Sequence, residues 1–531
     1  MQDERAAPKK PLGNLYIGKR ILEHSLDSMS ANASHTTTWL KLWRMTALAM
    51  IIIAVVFISV VPQVSNDFWL QAKVGELIAR DHSIPKTILF PFTEIRDARF
   101  NAHEWLPSLM FYWLIQLVGE DGLPFVMGVA GVALFSLMAW LAYMRSGKNL
   151  PLALLLGLLA VGIENQRHFL RPELVSLFLL GFYWLLLEAC RKKPRVLAWA
   201  GALLVVVLWA NSHGSFILAP IIAAIYAVGL WLDGLRWGAT GDWRPKQIPR
   251  AFAVFSIVAL AACLINPSGV ELLQFVASFH ADAAKLIINE WRPTFRPGWY
   301  EAPAVWMGLG CAAVTATVML LQWRRLSAVE ALMFLMFLVL ALKTVRFLVY
   351  QGMVAAFVLS ALATTRPPGT KIHIRIYAVC TFAAALVLGL ASQFGNAFGA
   401  FPHSALGISP SYTSFMVKKL NASDLQGNVI NSYELGAELV YRAYPRLRPS
   451  IDSRIDSYGG AYTWLNGRLF WDDAVLTEFV KDYDVRYMLL NHEDFRSVEK
   501  LPSWTSGRWV IRAMDQRAVL LQRSDLPPPA P

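Results

Sequence analysis

Apolar positions in this chain come in long blocks separated by short polar connections. The blocks cover about 45–64, 123–144, 149–163, 172–190, 196–210, 215–233, 250–266, 302–322, 327–342, 346–364 and 374–395. A helix of roughly 20 apolar residues crosses the hydrocarbon layer of a bilayer. Blocks that are apolar all round have no solvent face, so they predict membrane spans rather than amphipathic surface helices. Several blocks are short, which predicts tilt or burial among neighbours. The expected fold is a polytopic α-helical membrane protein with about 11–13 spans, the upper figure allowing for spans not visible as separate blocks.

The pattern changes in two places. After the first block, "NDFWLQAKVGELIARD" carries Leu70, Val74, Leu77 and Ile78 at helical spacing, with Lys73, Glu76 and Arg80 on the opposite face. This predicts an amphipathic helix lying in the membrane interface. "HSIPKTILFPFT" breaks it with two prolines, and a second helix starts at "HEWLPSLMFYWLI". Residues 65–122 therefore form a long, structured first outer loop, in which Trp105 to Val118 does not cross once on its own. From 395 onward the composition is that of a soluble domain. "GNVINS" predicts a strand, "YELGAELVYRA" a helix, and "RPSIDSR" a strand entering a loop. "VRYMLLN" reads as a buried strand, and "RWVIRAM" with "AVLLQR" as a closing hairpin. Residues 395–524 are thus a small soluble α/β domain and "DLPPPAP", 525–531, a disordered tail.

Composition agrees with the pattern: of 531 residues, 56% are hydrophobic and 16% charged, too apolar for a soluble protein of this length. Residues 1–44 are polar and basic, so the first block reads as a retained anchor rather than a cleaved signal peptide. The net charge of +12 raises the question of nucleic acid, but its distribution argues against it. Lys41 with Arg44, Arg145 with Lys148, and Arg191 to Arg195 lie in alternate connections. Arg236 to Arg250, Arg324 with Arg325, and Arg366 to Arg375 continue the series. If all eleven blocks cross, these connections share one side with the N-terminus, and the positive-inside rule makes that side cytoplasmic. Cys190, Cys263, Cys311 and Cys380 all sit in apolar blocks without metal-type spacing. No Walker loop, dinucleotide fingerprint or zinc motif is present.

With this parity every chemically unusual stretch falls on the outer side. The set comprises Asp67, His103–Glu104–Trp105, "RHFLRPE" at 167–173, "NSHG" at 211–214, "NPSG" at 266–269, "NEW" at 289–291 and "KTVR" at 343–346. One outer-face site built by several loops accounts for them economically. Each residue also has an ordinary structural reading. Asp67 precedes a helix and is a favoured N-cap; Glu104 suits the first turn of a helix. Arg171, placed before a helix-starting Pro172, has Glu173 as a neighbouring partner. Arg167 and Lys343 can snorkel, and Asn211 with His213 can close a turn. Asn266 and Gly269 read as turn chemistry, Trp291 as an interfacial anchor, and Asp452, Arg454 and Asp456 as an internal ion network or an acceptor-recognition loop.

"NDFWLQAKVGELIARDHSIPKT", "HEWL", "RPELVS", "LWANSHGSF", "INPSG" and "IDSRIDSYG", in this order, resemble a bacterial family of multi-pass proteins related to the GT-C glycosyltransferases. Those enzymes use polyprenyl-phosphate-linked sugars. The resemblance covers most of 45–500 and implies a GT-C-like transmembrane domain over 45–394, with the periplasmic α/β domain following it. It implies an enzyme of the bacterial inner membrane, N-terminus cytoplasmic, transferring a sugar from the lipid donor to a glycan, lipid or protein acceptor at the periplasmic face. Asp67 matches the acid expected in the first outer loop, as base or metal partner, with His103 and Glu104 as further catalytic candidates. Many GT-C enzymes carry two adjacent acids where this chain has Asn66–Asp67, so a bound Mg or Mn would need Glu104 as its second carboxylate. Arg171 and Arg346 are the expected phosphate ligands, and Arg167, Asn211, His213, Glu290 and Trp291 the further substrate contacts. The alternative is a non-catalytic module that binds or moves a lipid-linked glycan in cell-envelope polysaccharide assembly; it would need the arginines and a greasy groove but no acid.

Overall fold

The computed structural model describes residues 38–60, 65–164, 167–237, 247–281, 291–298, 300, 303–363, 375–383, 386, 415–420 and 423–527. Helix α1 spans Thr38–Ser59. Two helices of the first loop follow, α2 (Asn66–Asp81) and α3 (Trp105–Val118). The bundle continues with α4 (Leu123–Arg145), α5 (Leu150–Glu164), α6 (Pro172–Lys192), α7 (Val196–Ala210), α8 (Leu218–Trp237), α9 (Gln247–Ala262) and α10 (Val270–Ala281). It ends with α11 (Pro303–Leu321), α12 (Ala328–Lys343), α13 (Tyr350–Leu362) and α14, described over 375–383. Five of the helical segments are long and apolar enough to cross a membrane, and shorter apolar helices complete the bundle. Each apolar block corresponds to a helix, with the first beginning at Thr38 rather than Met45. The protein is an integral membrane protein.

Small residues let the helices approach: Gly352 of α13 lies against Ala160 and the Leu159 carbonyl of α5, where a Cβ would crowd the backbone. α6 and α12 run in opposite senses through the bundle. α6 carries Glu173 at its start and Glu188 and Arg191 at its end, while α12 carries Glu330 at its start and Lys343 at its end. Glu188, Glu330, Arg191 and Arg145 meet at one end of the bundle. Glu173, Lys343 and Arg346 gather around one cavity at the other. The two ends are therefore chemically sorted, as the alternation of basic connections predicts.

The first loop departs from expectation. α2 does not lie open in an interface: Leu70, Val74, Leu77, Ile78 and also Lys73 are buried, between α3 on one side and the C-terminal domain on the other. Lys73 satisfies its charge by pairing with Glu76 at 2.9 Å, one turn away. Of the polar face only Lys73 is covered by protein; Arg80 remains exposed.

The C-terminal domain comprises α15 (Phe415–Leu420), β1 (Gly427–Asn431), α16 (Tyr433–Ala443), β2 (Leu447–Pro449), α17 (Ile455–Arg468), α18 (Asp473–Asp482), β3 (Val485–Asn491), α19 (His492–Val498), α20 (Pro502–Thr505), β4 (Trp509–Met514) and β5 (Ala518–Arg523). Its sheet has the order β2-β1-β3-β5-β4, with β2, β1 and β3 parallel and the β4–β5 hairpin antiparallel. Alternation along β3 feeds two cores: Met488 and Leu490 face Phe479 and Val519, whereas Tyr487 and Leu489 face Leu435 and Leu439. The predicted strands are present, with "SIDSR" a loop that leads into α17 rather than strand.

The domain is seated on the first loop. Asn66 Nδ2 donates to the Tyr433 carbonyl at 3.1 Å, and Trp69 and Tyr441 meet with centroids 4.8 Å apart. Arg442 forks onto Glu120 and lies 4.5 Å from the Trp69 ring centroid. Burial alone would raise the Glu120 pKa, but Arg442 and then Lys418 outweigh it and hold the carboxyl below its usual range.

One acid of this domain is held the other way. Burial pushes Asp494 up to about 6, reinforced by Glu434 and Glu493 against the opposing hydrogen bond from Ser432. In the unfolded chain this carboxyl titrates near 4, so the native state binds the extra proton between about pH 4 and 6 and stability falls as pH rises through that window. Asp494→Asn should therefore stabilise the protein at pH 7.5 by on the order of 1–2 kcal/mol and change little at pH 4. Thermal melts at the two pH values check this.

Candidate functional site

Local sequence decides how α2 begins. Ser65, extended at φ −68° and ψ 152°, is the N-cap, its Oγ accepting from Phe68 N at 3.2 Å. Asp67 is thereby in the first turn and is not the capping group. It lines a cavity of about 560 Å³, as does Gln71 one turn later. Glu104 occupies the N-cap position of α3 but makes no capping bond. Its Oε2 accepts from Gln71 Nε2 at 2.5 Å, and Ser108 Oγ in turn donates to Gln71 and to the Glu104 carbonyl.

This pairing needs α2 and α3 to touch. Gly75 lies so close to the Ser108 carbonyl that a Cβ would overlap it, and Phe68 packs on Phe111 with centroids 5.2 Å apart. In an unencumbered helix Gly→Ala is stabilising by about 0.5–1 kcal/mol. Here the sign reverses, and Gly75→Ala should lower Tm and weaken activity together, measured on purified protein.

Cations line the same cavity. Arg171 is extended ahead of Pro172, which takes the first position of α6. Glu173, 3% exposed, is bonded by Arg167 at 2.8 Å, Arg346 at 2.9 Å and Arg171 at 3.2 Å. Among the described residues three guanidiniums share this one carboxylate. Arg346 also donates to His213 Nε2 at 2.7 Å and stacks 5.0 Å from the Trp291 ring centroid. Burial, then the neighbouring Arg346 guanidinium, hold His213 well below the usual imidazole range. Arg346 can only donate, so Nε2 accepts, and Nδ1 lies 2.8 Å from Ser215 Oγ and 3.2 Å from Ser176 Oγ.

The cavity brings together Asp67, His103, Glu104, Arg171, His213, Trp291 and Arg346 of the sequence candidates. His103 Nε2 stands 3.8 Å from Glu104, and its Nδ1 3.1 Å from the Asn101 carbonyl. Arg167 stands behind the wall on Glu173. Asn211 does not line the cavity: Trp105 Nε1 donates to its Oδ1 at 2.8 Å, and its amide donates to the Val207 and Ile265 carbonyls. That side chain ties α7 to α3 and to the segment after α9. Glu290 lies outside the described residues. Asn266 accepts from Ser268 N at 2.8 Å, with Gly269 at φ 54°, the turn its sequence predicts. Among the described residues no three His, Cys, Asp or Glu side chains gather closely enough to hold a metal ion.

Sequence reasoning did not single out Gln71, Ser108 or Tyr350 as cavity residues. Only the spacing of Asp67 and Gln71, four apart on one helix face, hinted at the first. Ser453 and Arg454 also line the cavity, brought there by the C-terminal domain. Arg454 pairs with buried Asp452 at 2.5 Å and sits 4.7 Å from the Phe100 ring centroid. The Asp452–Arg454 ion pair is internal, as one reading of that loop expects, and the loop borders the cavity. The remaining wall is greasy, formed by Ile217, Leu218 and Ile221 at the start of α8 and Met336 and Leu340 near the end of α12.

No family model matches the chain, and no curated protein sequence matches it. Solved structures do. Archaeal oligosaccharyltransferase AglB from Archaeoglobus fulgidus, in complex with an inhibitory peptide and a dolichol-phosphate, is similar with a TM-score of 0.53 and 12% identity, over 92% of this chain and 75% of that one. The A. fulgidus oligosaccharyltransferase tethered to an acceptor peptide with the NVT sequon gives 0.52 and 13%, over 88% and 72%. Its apo form gives 0.50 and 13%, over 86% and 71%. The chain has the GT-C fold. At these identities the likeness is one of architecture, and the frame here carries Asp67 and Glu104 in one cavity with Arg171 and Arg346 at one end of the bundle.

Proposed function

We propose that this GT-C-fold membrane protein transfers a sugar from a polyprenyl-phosphate-linked donor to an acceptor at the periplasmic face of a bacterial inner membrane. The observation that supports this reading is the composition of the 560 Å³ cavity: the carboxylates Asp67 and Glu104 at the starts of α2 and α3, the guanidiniums Arg171 and Arg346, and an apolar flank along α8 and α12. A lipid-linked donor presents such a combination, an anionic phosphate between a sugar and a hydrocarbon chain.

In this reading Asp67 accepts the proton of the acceptor nucleophile as the new glycosidic bond forms. The bond from the sugar to the phosphate oxygen breaks, and the departing polyprenyl phosphate keeps the electron pair. Arg171 and Arg346 stabilise the negative charge that grows on that phosphate, with planar donors suited to its oxygens. Neutral His213 fixes the Arg346 fork by accepting from it. Gln71 orients Glu104, and Trp291 offers a face for a pyranose ring beside Arg346. A bound Mg or Mn would need Asp67 and Glu104 as carboxylate ligands, but among the described residues these two belong to no group of three that could hold it, so no step above is routed through a metal. Ser453 and Arg454 bring the C-terminal domain to the acceptor side.

Binding of polyprenyl phosphate to the purified protein tests the reading. Arg171→Gln and Arg346→Gln should each weaken it roughly 10- to 100-fold, the loss of a charge-assisted contact. Wild-type affinity in both variants would remove the phosphate from this wall.

A further inference from the structure

The end of the bundle opposite Asp67 holds a second cavity, of about 520 Å³, where α4, α6 and α13 finish and α12 begins. Arg145, Arg191, Lys192 and Arg325 line it together with Glu188 and Glu330. Arg145, whose side chain is 2% exposed, reaches both carboxylates at 2.5 Å. Arg191 lies 3.0 Å from Glu330, and Tyr226 Oη donates to Glu188 at 2.7 Å. Lys192 donates to the Met144 carbonyl. Among the described residues no hydrogen bond or ion pair engages the Arg325 guanidinium.

Four cations face these two carboxylates, and a third carboxylate, Asp233, sits beside them, accepting from Ser327 Oγ at 2.5 Å and from Ala328 N at 2.7 Å. Among the described residues none of the three acids forms an ion pair with Lys192 or Arg325, and these two cations are the complement of an anionic phosphodiester. Ion-pair stapling of the helices accounts for Arg145 and Arg191; it does not account for Lys192 and Arg325 on the same wall.

A separate observation points to what such a phosphodiester belongs to. Ile248, in the first turn of α9, borders the charged cavity. Its neighbours Gln247 and Arg250 border an apolar groove of about 470 Å³ between α7 and α9, floored by Trp199, Val254, Phe255 and Val258. Val254 is 61% exposed and Val258 42%. A charged cavity and a greasy groove thus flank a single helical turn. We propose that the pair is a binding site for an anionic phospholipid of the leaflet at this end. Its phosphodiester occupies the charged cavity and an acyl chain lies along α7 and α9. Basic pockets between transmembrane helices are a recurrent way of recognising lipid head groups.

The full-length protein, delipidated in detergent, is offered phosphatidylglycerol or phosphatidylcholine and read by native mass spectrometry; thermal melts with inorganic phosphate form a second arm. Phosphatidylglycerol should be held roughly tenfold more strongly, the worth of one charge-assisted contact. That preference should disappear in the Lys192→Gln/Arg325→Gln double variant. Both side chains are exposed and outside the Arg145 ion pairs, so folding is retained. Val254→Asn should weaken both lipids. Equal retention of the two lipids by the wild type, or an unchanged preference in the double variant, overturns the proposal. So does protection by inorganic phosphate that matches phosphatidylglycerol and ignores Val254→Asn, which would assign the cavity to a soluble anion.

Discussion

Asp67→Asn should give a folded, membrane-inserted protein whose sugar transfer has fallen by about 10²–10⁴-fold, the range for losing a positioned general base. The isosteric amide keeps the shape of the side chain but cannot take a proton. Stability should hardly move, because the cap of α2 is Ser65 and not Asp67. Loss of the favourable interaction of an acid with the helix N-terminus costs about 0.3–1 kcal/mol. Initial rates with a lipid-linked donor, alongside thermal melts, separate the two effects. Full activity in the variant would remove Asp67 from the mechanism, and a large fall in Tm would make it a structural residue.

Glu173→Gln should be destabilising on a different scale. Its carboxylate is buried and holds Arg167, Arg171 and Arg346 at 2.8, 3.2 and 2.9 Å. Removing the acid from a buried ion cluster leaves its cations uncompensated, at a cost of about 3–5 kcal/mol. The prediction carries its own control. Arg167 does not line the cavity, so Arg167→Gln placed on top of Glu173→Gln should restore part of the lost Tm by lowering the surplus charge. Restoration without recovery of transfer would fit a hub that also aims Arg171 and Arg346. A Glu173→Gln protein as stable as the wild type would contradict the cluster.

Much of this architecture is legible in the sequence for a physical reason. A membrane leaves few choices: apolar blocks become helices, and Lys and Arg mark one set of connections. That regularity sorts Asp67, Glu104, Arg171, His213 and Arg346 to one end before any coordinates are seen. Contacts between distant segments are what the pattern does not carry. α2 reads as an open interfacial helix, yet α3 and the C-terminal domain cover its apolar face and Lys73, leaving Arg80 exposed. Asn211 is drawn from the same loop as His213 and looks equally chemical, but its amide is spent on Trp105 and two carbonyls. Gln71 went unremarked because a glutamine on a helix signals nothing until Glu104, 33 residues away, is placed against it. Arg454 reaches the cavity only because the domain is seated on the first loop by Asn66, Trp69 and Glu120.

A structure of the protein with polyprenyl phosphate bound tests the whole account at once. The phosphate should sit between Arg171 and Arg346, its first isoprene units against Ile217, Ile221 and Met336, with the Asp67 carboxylate facing it across the cavity. A phosphate bound elsewhere on the protein, or one separated from Asp67 by the thickness of the bilayer, would contradict it.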